Sequence, residues 1–348
     1  MENKPIFDCS SFILCSVPVP KRYPQSQTHS GIAIYKDDYY LVTTPYPNRK
    51  LTKWQVRTKI ALRKLTLGLI HRLEDGEYYE NPCLYRGIAD DYLQPPIIFE
   101  PIADNPLIST PQHFNQLPSY NSDPDIFIED GHFYILNRTV RRTKITKFAY
   151  ESRITISLIE GECQNGCFKQ IGINSIKEWD KPYVSPCLTK YDGKYVFTYL
   201  DTNSAIDSST FNGLFLQQLD SLDALANNEN YIEVKVTTGE MLPWHMSLFQ
   251  YNGVMYSIVA CVKKGDKTRK IWQMFGQFNQ ALTELTIYPT PLTDFNSYRG
   301  AACVRKDGMF ILYSTTLWEK IKGSKSVDGR DVIVAQMPFV DLLKQVNC

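Results

Sequence analysis

The 348-residue sequence lacks any long hydrophobic run. The apolar stretch from Phe12 to Leu14, near the N-terminus, is too short for the core of a signal peptide, and no segment has the length that crosses a bilayer. We therefore expect no membrane insertion. The expected location is the cytoplasm, or the periplasm or extracellular space if a leader has been removed.

The sequence also lacks an excess of charge of one sign. Its 38 Lys and Arg residues balance 37 Asp and Glu residues, which gives a formal net charge of +1 and no overall field to attract nucleic acid. The motifs GxGxxG after a strand, GxxxxGK, HExxH and GxSxG are absent as well. Nucleotide-driven chemistry and serine hydrolysis are therefore disfavoured, and no nucleic-acid partner is expected.

Paired cysteine motifs are missing too. The nine cysteines are an odd number without a CxxC pair, so neither a disulfide framework nor a zinc site is predicted. Only Cys163 and Cys167 lie close together, on either side of a turn sequence, and we expect them to remain thiols.

Aromatic residues, by contrast, are plentiful. They make up 13% of the chain, which favours strands because flat rings pack well on a pleated surface. Five segments repeat one plan, in which a strand, a two-residue turn and an aromatic-rich second strand follow one another. The predicted turns are Asp37-Asp38, Asp130-Gly131, Asp192-Gly193, Asn252-Gly253 and Asp307-Gly308.

The spacing of these turns predicts the architecture. After a longer first interval, successive turns lie about 60 residues apart, which leaves room for two more strands in each repeat. We therefore predict an all-β, five-bladed β-propeller with four-stranded antiparallel blades around an axial funnel. It forms a single domain over residues 1–348, and the N- and C-terminal segments share one blade.

The longer first interval predicts an insertion at about residues 49–81. This segment mixes apolar with basic residues, and it is either a basic docking face for a partner or the solvated face of an ordinary insertion. Asp75-Gly76 is a further turn signal there, but the residues behind it do not form an uninterrupted apolar strand, so a sixth blade is rejected.

The repeat register predicts where a ligand binds. If the first strand of each hairpin is innermost, the strand starts converge around the axis at one face, where propellers ordinarily bind ligands. Asp125 should share the orientation of Asp123 because side chains alternate along a strand. The residues predicted to reach this face from the innermost strands are His29, Asp123, Ser185, His245 and Arg299, with Arg138 in an outer ring.

An ordered set of segments carries a resemblance: ENPCLYRG from Glu80, NSDPDIFIEDG from Asn121, VSPCLTKYDGKY from Val184, PWHMSLFQYNG from Pro243 and SYRGAACVRKDG from Ser297. Over about residues 25–316 the chain resembles the five-bladed β-propeller glycosidases, which include the arabinanase and β-xylosidase group and the fructosidase group. The resemblance implies an axial sugar site where an Asp and a Glu act on a glycosidic bond. Asp123-Pro124 matches the fructosidase pattern, whereas His29-Ser30-Gly31 replaces the Asp-Pro that opens the first blade of arabinanases.

Catalytic roles follow from this interpretation. Glycosidic hydrolysis needs two carboxylates on opposite sides of the anomeric carbon. We expect Asp123 to act as general base or transition-state stabiliser and Glu80 as the acid, with Asp125 as a further candidate. Because the site is placed on the rim, Asp123→Asn is expected to leave folding nearly unchanged.

The other candidate residues would bind substrate. Trp244 and Tyr298 suit stacking on a sugar face, and the two histidines suit orienting hydroxyls or holding an ion. Two histidines alone do not define a metal site, so no metal or cofactor is predicted. Three arginines suit binding of hydroxyls or a uronate carboxylate through their planar forks, and these are Arg86, Arg138 and Arg299.

The leading functional hypothesis is thus a glycoside hydrolase acting on an oligosaccharide. The alternative is a non-catalytic carbohydrate-binding or protein-interaction propeller that has lost the catalytic pair, which the missing first-blade aspartate favours. The sugar, the linkage and the oligomeric state stay open.

Overall fold

The computed structural model describes residues 4–21, 26–46, 58, 61–62, 65–66, 80–89, 93–110, 119–144, 150–181, 183–202, 211–227, 230–266, 268, 270–317, 321–326 and 329–347. Most of the predicted insertion at 49–81 lies outside these residues, and so does Asp75-Gly76. The described part of the chain forms five antiparallel four-stranded blades, which confirms the predicted fold.

The strands follow the chain from blade to blade, apart from the first. After a short 3₁₀ turn comes β1 (Ile13–Leu14), and blade 1 then contains β2 (Gln27–Tyr35), β3 (Asp38–Pro45), β4 (Cys83–Ile88) and β5 (Ile98–Pro101). Blade 2 contains β6 (Tyr120–Glu129), β7 (His132–Lys144), β8 (Tyr150–Gln164) and β9 (Cys167–Trp179). Blade 3 contains β10 (Val184–Tyr191), β11 (Lys194–Asp201), β12 (Gly213–Leu219) and β13 (Ile232–Thr237), with helix α1 (Ala224–Asn227) before β13.

Blade 4 contains β14 (Met241–Tyr251), β15 (Val254–Lys263), β16 (Ile271–Phe278) and β17 (Glu284–Pro291). Blade 5 contains β18 (Ala301–Val304), β19 (Met309–Thr315) and β20 (Val332–Pro338), and helix α2 (Phe339–Val346) follows it. No helix among the described residues is long and apolar enough to cross a membrane.

Blade 5 closes the ring with both ends of the chain. Strand β1 pairs with β20, so that Ile13 lies opposite Val334, and it supplies the outermost strand. The innermost strands β2, β6, β10, β14 and β18 pack against one another in order, and β18 packs against β2. The predicted sharing of one blade by the two terminal segments is confirmed, and the ring brings the starts of the innermost strands together.

Apolar side chains fill the space between neighbouring blades. Between blades 4 and 5, Phe249, Phe275 and Phe310 form a buried aromatic cluster with Phe339 of helix α2. Such rings each bury a large area and favour tilted or edge-to-face contacts. The aromatic content that predicted strands is therefore used largely to pack one blade on the next.

The hairpin turns differ from the prediction at two of the five places. In blade 1 the left-handed residues are Lys36 and Asp37, and Asp38 already pairs with Tyr35 in the sheet, so the turn begins one residue earlier than predicted. In blade 5 the last strand pair is Val304 with Phe310, which makes a longer connection. The one-residue correction in blade 1 brings His29 into the same repeat position as Asp123, Ser185 and His245.

Candidate functional site

The start of each innermost strand of blades 1 to 4 contains a β-bulge. The pairing register breaks between Thr28 and Gly31, and at the equivalent points of β6, β10 and β14. In three of the four bulges a residue other than glycine has a left-handed backbone: His29 (φ 55°), Asp123 (φ 50°) and Ser185 (φ 55°). A bulge re-aims the side chain that it carries, and the left-handed backbone costs about 1–2 kcal/mol per residue. The fold maintains this strain at the same position in successive blades.

Asp123 lies at the centre of the cluster and is 1% exposed. Its Oδ2 accepts hydrogen bonds from Arg138 Nη1 (3.3 Å) and from the backbone N–H of Ser185 (3.1 Å). Arg138 is itself held in place because its Nε donates to the Tyr183 carbonyl at 2.8 Å. One carboxylate oxygen is therefore fixed by blades 2 and 3, and the other is left to face the axis.

The second oxygen of Asp123 faces two imidazoles. Oδ1 lies 2.9 Å from His29 Nε2 and 3.7 Å from His245 Nδ1, and it accepts a hydrogen bond from Ser122 Oγ at 2.9 Å. Within the described part of the chain, neither of these two ring nitrogens makes a well-aligned hydrogen bond, although both are buried. Each nitrogen therefore has a lone pair or a proton without an aligned partner.

These three residues could hold a metal ion. The three ligand atoms of His29, Asp123 and His245 all lie within 4.8 Å of one another. Two imidazoles and a carboxylate form a donor set that suits Zn²⁺ and other divalent transition metals with open coordination positions. The sequence did not predict a metal at this place, because the ligands come from three different blades and form no spacing motif.

Burial and neighbouring charges shift the pKa values of Asp123 and His245. Burial alone would raise the pKa of Asp123, but His245, Arg138 and His29 hold that pKa well below its usual range. Burial lowers the pKa of His245 to about 3, against the attraction of Asp123. At neutral pH the site thus contains an ionised aspartate beside a neutral His245, which are the states that coordinate metals.

Glu80 lies on the opposite side of His29. Its Oε2 is 3.6 Å from His29 Nδ1, and the residue is only 6% exposed. Burial raises the pKa of Glu80, and the Asp123 charge adds to this effect while His29 opposes it. Glu80 therefore exchanges a proton more readily near neutral pH than an ordinary surface glutamate. From the sequence, Tyr78 and Tyr79 would also be expected near Glu80 and would help to raise its pKa, but both lie outside the described residues.

Half-buried aromatic rings form one wall of the site. The Tyr298 ring centroid lies 4.9 Å from that of His29 and 5.2 Å from those of His245 and Trp244. Burial raises the pKa of Tyr298 well above its usual value, with Glu80 and Asp123 adding to the shift, so its hydroxyl keeps its proton. The phenol is thus available as a hydrogen-bond donor.

Arg299 and Asp125 do not share this position. Arg299 is fully buried, and its guanidinium donates to the Pro124 carbonyl at 2.7 Å and pairs with Asp125 Oδ1 at 3.3 Å. The other oxygen of Asp125 accepts the Leu188 N–H at 3.0 Å, and burial raises the pKa of this carboxyl. The pair joins the innermost strands of blades 2 and 3 to the start of β18, which corrects the expectation that Arg299 opens onto the pocket.

Arg86 and Ser185 also differ from their predicted roles. Arg86 Nη2 bonds Asp38 at 2.8 Å beside the first hairpin turn, so it lies at the end of blade 1 away from the strand starts. Ser185 is completely buried and uses its hydroxyl to bond both the N–H (2.8 Å) and the carbonyl (2.9 Å) of Met246. Ser185 therefore ties blade 3 to blade 4, and only its backbone reaches Asp123.

Sequence reasoning missed Arg330 and Tyr46. The Arg330 guanidinium lies 3.6 Å above the Tyr46 ring and 5.9 Å from the Tyr298 ring centroid, and the residue is 5% exposed. Neither residue belongs to a hairpin repeat, since Tyr46 follows β3 and Arg330 precedes β20. The repeat register therefore contained no signal for them.

No family model and no curated protein sequence matches this chain. Solved structures do match it. An N-acetylgalactosamine deacetylase from F. plautii, in complex with blood group B trisaccharide, has 13% identity and a TM-score of 0.63 over 99% of this chain and 97% of its own. A β-xylosidase/α-arabinofuranosidase from a compost microbial metagenome, in complex with xylotriose, has 11% identity and a TM-score of 0.56 over 97% and 94%.

A third match is longer than this chain. Xylan β-1,4-xylosidase from Bacillus halodurans C-125 has 15% identity and a TM-score of 0.58 over 91% of this chain, which spans only 53% of that enzyme. At these identities the likeness concerns the fold. The resemblance to the five-bladed β-propeller glycosidases is thereby confirmed for the fold alone.

Proposed function

We propose that this protein is a metal-dependent hydrolase of carbohydrates that removes the acetyl group from an N-acetylated sugar. The observation that carries the proposal is the cluster of His29, Asp123 and His245, in which one aspartate oxygen faces two buried imidazole nitrogens without well-aligned hydrogen bonds. The deacetylase from F. plautii, which is similar to this chain over nearly the whole length of both, adds support for the substrate class.

Each group of the site has a role in amide hydrolysis. A divalent cation held by the three ligands would supply Lewis-acid chemistry and lower the pKa of a water molecule. Glu80 would take a proton from the attacking water and return it to the leaving sugar nitrogen, so that acetate and the free amine are formed. Its raised pKa suits both transfers.

Two further residues would assist this step. Tyr298 keeps its phenol proton and would donate a hydrogen bond to the oxygen that becomes negatively charged in the transition state. Arg138 does not act on the substrate. It holds Asp123 Oδ2, so that Oδ1 stays ionised and oriented toward the two histidines.

Hydrolysis of a glycosidic bond is the second candidate. It is favoured by the opposite pKa shifts of Glu80 and Asp123, because an acid and a base separated in this way are typical of glycosidases. Against it, Asp123 is 1% exposed and all its oxygen positions already face donors or imidazoles. A direct approach of Asp123 to an anomeric carbon is therefore obstructed.

One experiment separates these functions. The purified protein is analysed for bound metal and incubated with N-acetylgalactosamine, N-acetylglucosamine, their oligosaccharides and aryl glycosides, with and without a chelator. Acetate and new reducing ends are measured separately. We expect acetate release that the chelator abolishes and that Zn²⁺, Mn²⁺ or Co²⁺ restores.

Variants test the individual roles. His245→Gln should lose bound metal and acetate release together, whereas Glu80→Gln should keep the metal and lose about 10²–10⁴-fold in rate. His132→Gln, at a partly exposed histidine at the start of β7, is the matched control and should change neither. New reducing ends without acetate would establish the glycosidase instead, and binding of a sugar without any product would establish the non-catalytic binding module.

A further inference from the structure

A separate cavity of about 280 Å³ lies between blades 1 and 5, and one of its lining residues, Arg330, also lies near the Tyr298 ring of the axial site. Its walls come from the segment that follows β1, from the first residues of β2 and from residues 323–332. The cavity is slightly smaller than the ~300–1,000 Å³ sites that take drug-sized ligands, and it suits a single sugar ring.

Gln27 contributes a polar group that lacks a partner. The residue is 5% exposed and lines the cavity, and its Nε2 donates to the Val17 carbonyl at 2.8 Å. Its Oε1 is buried and accepts no hydrogen bond from any described residue. An unsatisfied buried acceptor costs about 1–3 kcal/mol, so a ligand that offers hydroxyl groups would gain by occupying this place.

Arg330 forms the wall that the cavity shares with the axial site. Its guanidinium stacks on Tyr46 at 3.6 Å and lies 5.9 Å from the Tyr298 ring, while the residue also lines the cavity. Its backbone N–H donates to Ser326 Oγ at 2.8 Å, which fixes the segment before β20. The planar guanidinium is thereby held at the boundary between the cavity and the axial site.

The separation of the two sites fits neighbouring residues of one oligosaccharide. Gln27 and His29 are two positions apart at the start of β2, so their Cα atoms are at most about 7 Å apart. We propose that the cavity binds the second sugar residue of an oligosaccharide whose first residue is processed at the histidine–aspartate cluster. Gln27 Oε1 accepts from a hydroxyl of that second residue, and Arg330 forms the wall between the two sites. The proposal rests on the proposed function for the identity of the first residue.

Calorimetry tests the subsite without any need for turnover. N-acetylgalactosamine and a trisaccharide that ends in it are titrated into the metal-loaded Glu80→Gln variant, which is expected to bind but not to convert them. We expect the trisaccharide to bind at least about tenfold more tightly. Added in this background, Gln27→Met should weaken trisaccharide binding about tenfold and leave the monosaccharide unchanged, as expected for one hydrogen bond to a buried acceptor.

A second variant covers the chance that Gln27→Met disturbs the fold. Val19 lines the cavity, and Val19→Phe would fill part of it, while Ile13→Phe on the exposed side of β1 is the matched control. Val19→Phe should reproduce the selective loss of trisaccharide affinity, and Ile13→Phe should not.

The outcomes distinguish this proposal from the proposed function. Equal affinity for the two sugars, an equal loss for both in Gln27→Met and Val19→Phe, or no measurable binding of either sugar overturns the subsite. If the wild type releases no acetate but the variants lose trisaccharide affinity selectively, the deacetylase proposal fails and the subsite stands. If acetate release occurs but trisaccharide affinity does not respond to the variants, the reverse holds.

Discussion

Asp123→Asn tests the electrostatics of the site most directly. The substitution keeps the shape of the side chain, and asparagine tolerates the left-handed backbone of this position (φ 50°), so backbone strain does not change much. What is lost is one negative charge and one of two acceptor oxygens. The effect on stability therefore reports on the partners of Asp123 alone.

The expected orientation of the new amide follows from those partners. Arg138 Nη1 and the Ser185 N–H both donate to Oδ2, so the single amide oxygen should take that position. The amide NH₂ would then face His245 and Ser122, which can both accept, because His245 is neutral at pH 7 with a pKa of about 3. The hydrogen bonds can thus be re-formed, and the unpaired charge of Arg138 is the main cost.

The magnitude follows from burial. Arg138 is 2% exposed, and removal of one partner from a buried ion pair destabilises a protein by about 3–5 kcal/mol. The expectation from sequence, that folding would be nearly unchanged, assumed an exposed rim position. The structure contradicts that expectation, because Asp123 and Arg138 are both buried between blades 2 and 3.

The assay is urea denaturation at pH 7 in the presence of a chelator, so that metal binding does not contribute. Asp123→Asn, Arg138→Met and the double variant complete a thermodynamic cycle with the wild type. We expect the double variant to be less destabilised than the sum of the single variants by at least about 2 kcal/mol. A loss below about 1 kcal/mol for Asp123→Asn, or additive losses, would refute the argument.

Three further predictions concern the rest of the propeller. Arg299→Met should destabilise the protein by about 3–5 kcal/mol in thermal or urea unfolding, because it leaves the buried Asp125 carboxylate without its counter-charge. A loss of stability as small as that of a surface substitution would contradict this prediction. Glu129 has a lowered pKa, since hydrogen bonds from a lysine and a tyrosine of blade 3 outweigh the effect of burial. Ionised Glu129 should therefore contribute about 0.5–1 kcal/mol to the free energy of unfolding above pH ~4.3, and this contribution should be lost as the pH falls through the folded-state pKa. Wild type and Glu129→Gln should accordingly differ in melting temperature at pH 6 and have the same melting temperature in acid. Gly161→Ala should cost about 1–3 kcal/mol because its Cβ would collide with the Phe168 ring, whereas Gly172→Ala on the neighbouring strand meets nothing closer than 4.0 Å and should be neutral.

Much of the fold could be predicted from local chemistry. Asp-Gly and Asn-Gly pairs adopt the left-handed backbone of tight turns without strong penalty, so their recurrence marked the hairpins and the number of blades. The closing of blade 5 by β1 also followed, because a propeller otherwise leaves an open sheet edge. The parallel pairing of β13 with β17, which joins the outer strands of blades 3 and 4, depends on contacts far apart in the chain and had no local signal.

The candidate site was predicted only in part, and the bulges explain the difference. Alternation of side chains placed Asp125 with Asp123, but the bulge between Ser122 and Asp125 breaks that alternation, so Asp125 pairs with Arg299 in the interior. Arg86 was assigned from its chemistry without a register, and the sheet carries it to the other end of blade 1.

The sequence by itself determined the repeat, the strand starts and the residue types that stand there, because turns and alternating strands are encoded over a few neighbouring positions. It predicted that His29, Asp123 and His245 reach one face, but it could not determine that their ligand atoms lie within 4.8 Å of one another, or that an aspartate oxygen faces two imidazoles. Those facts depend on how five blades close into a ring and on bulges that redirect side chains. Both result from packing between residues that lie roughly a hundred positions apart, and such packing is decided only in the tertiary structure.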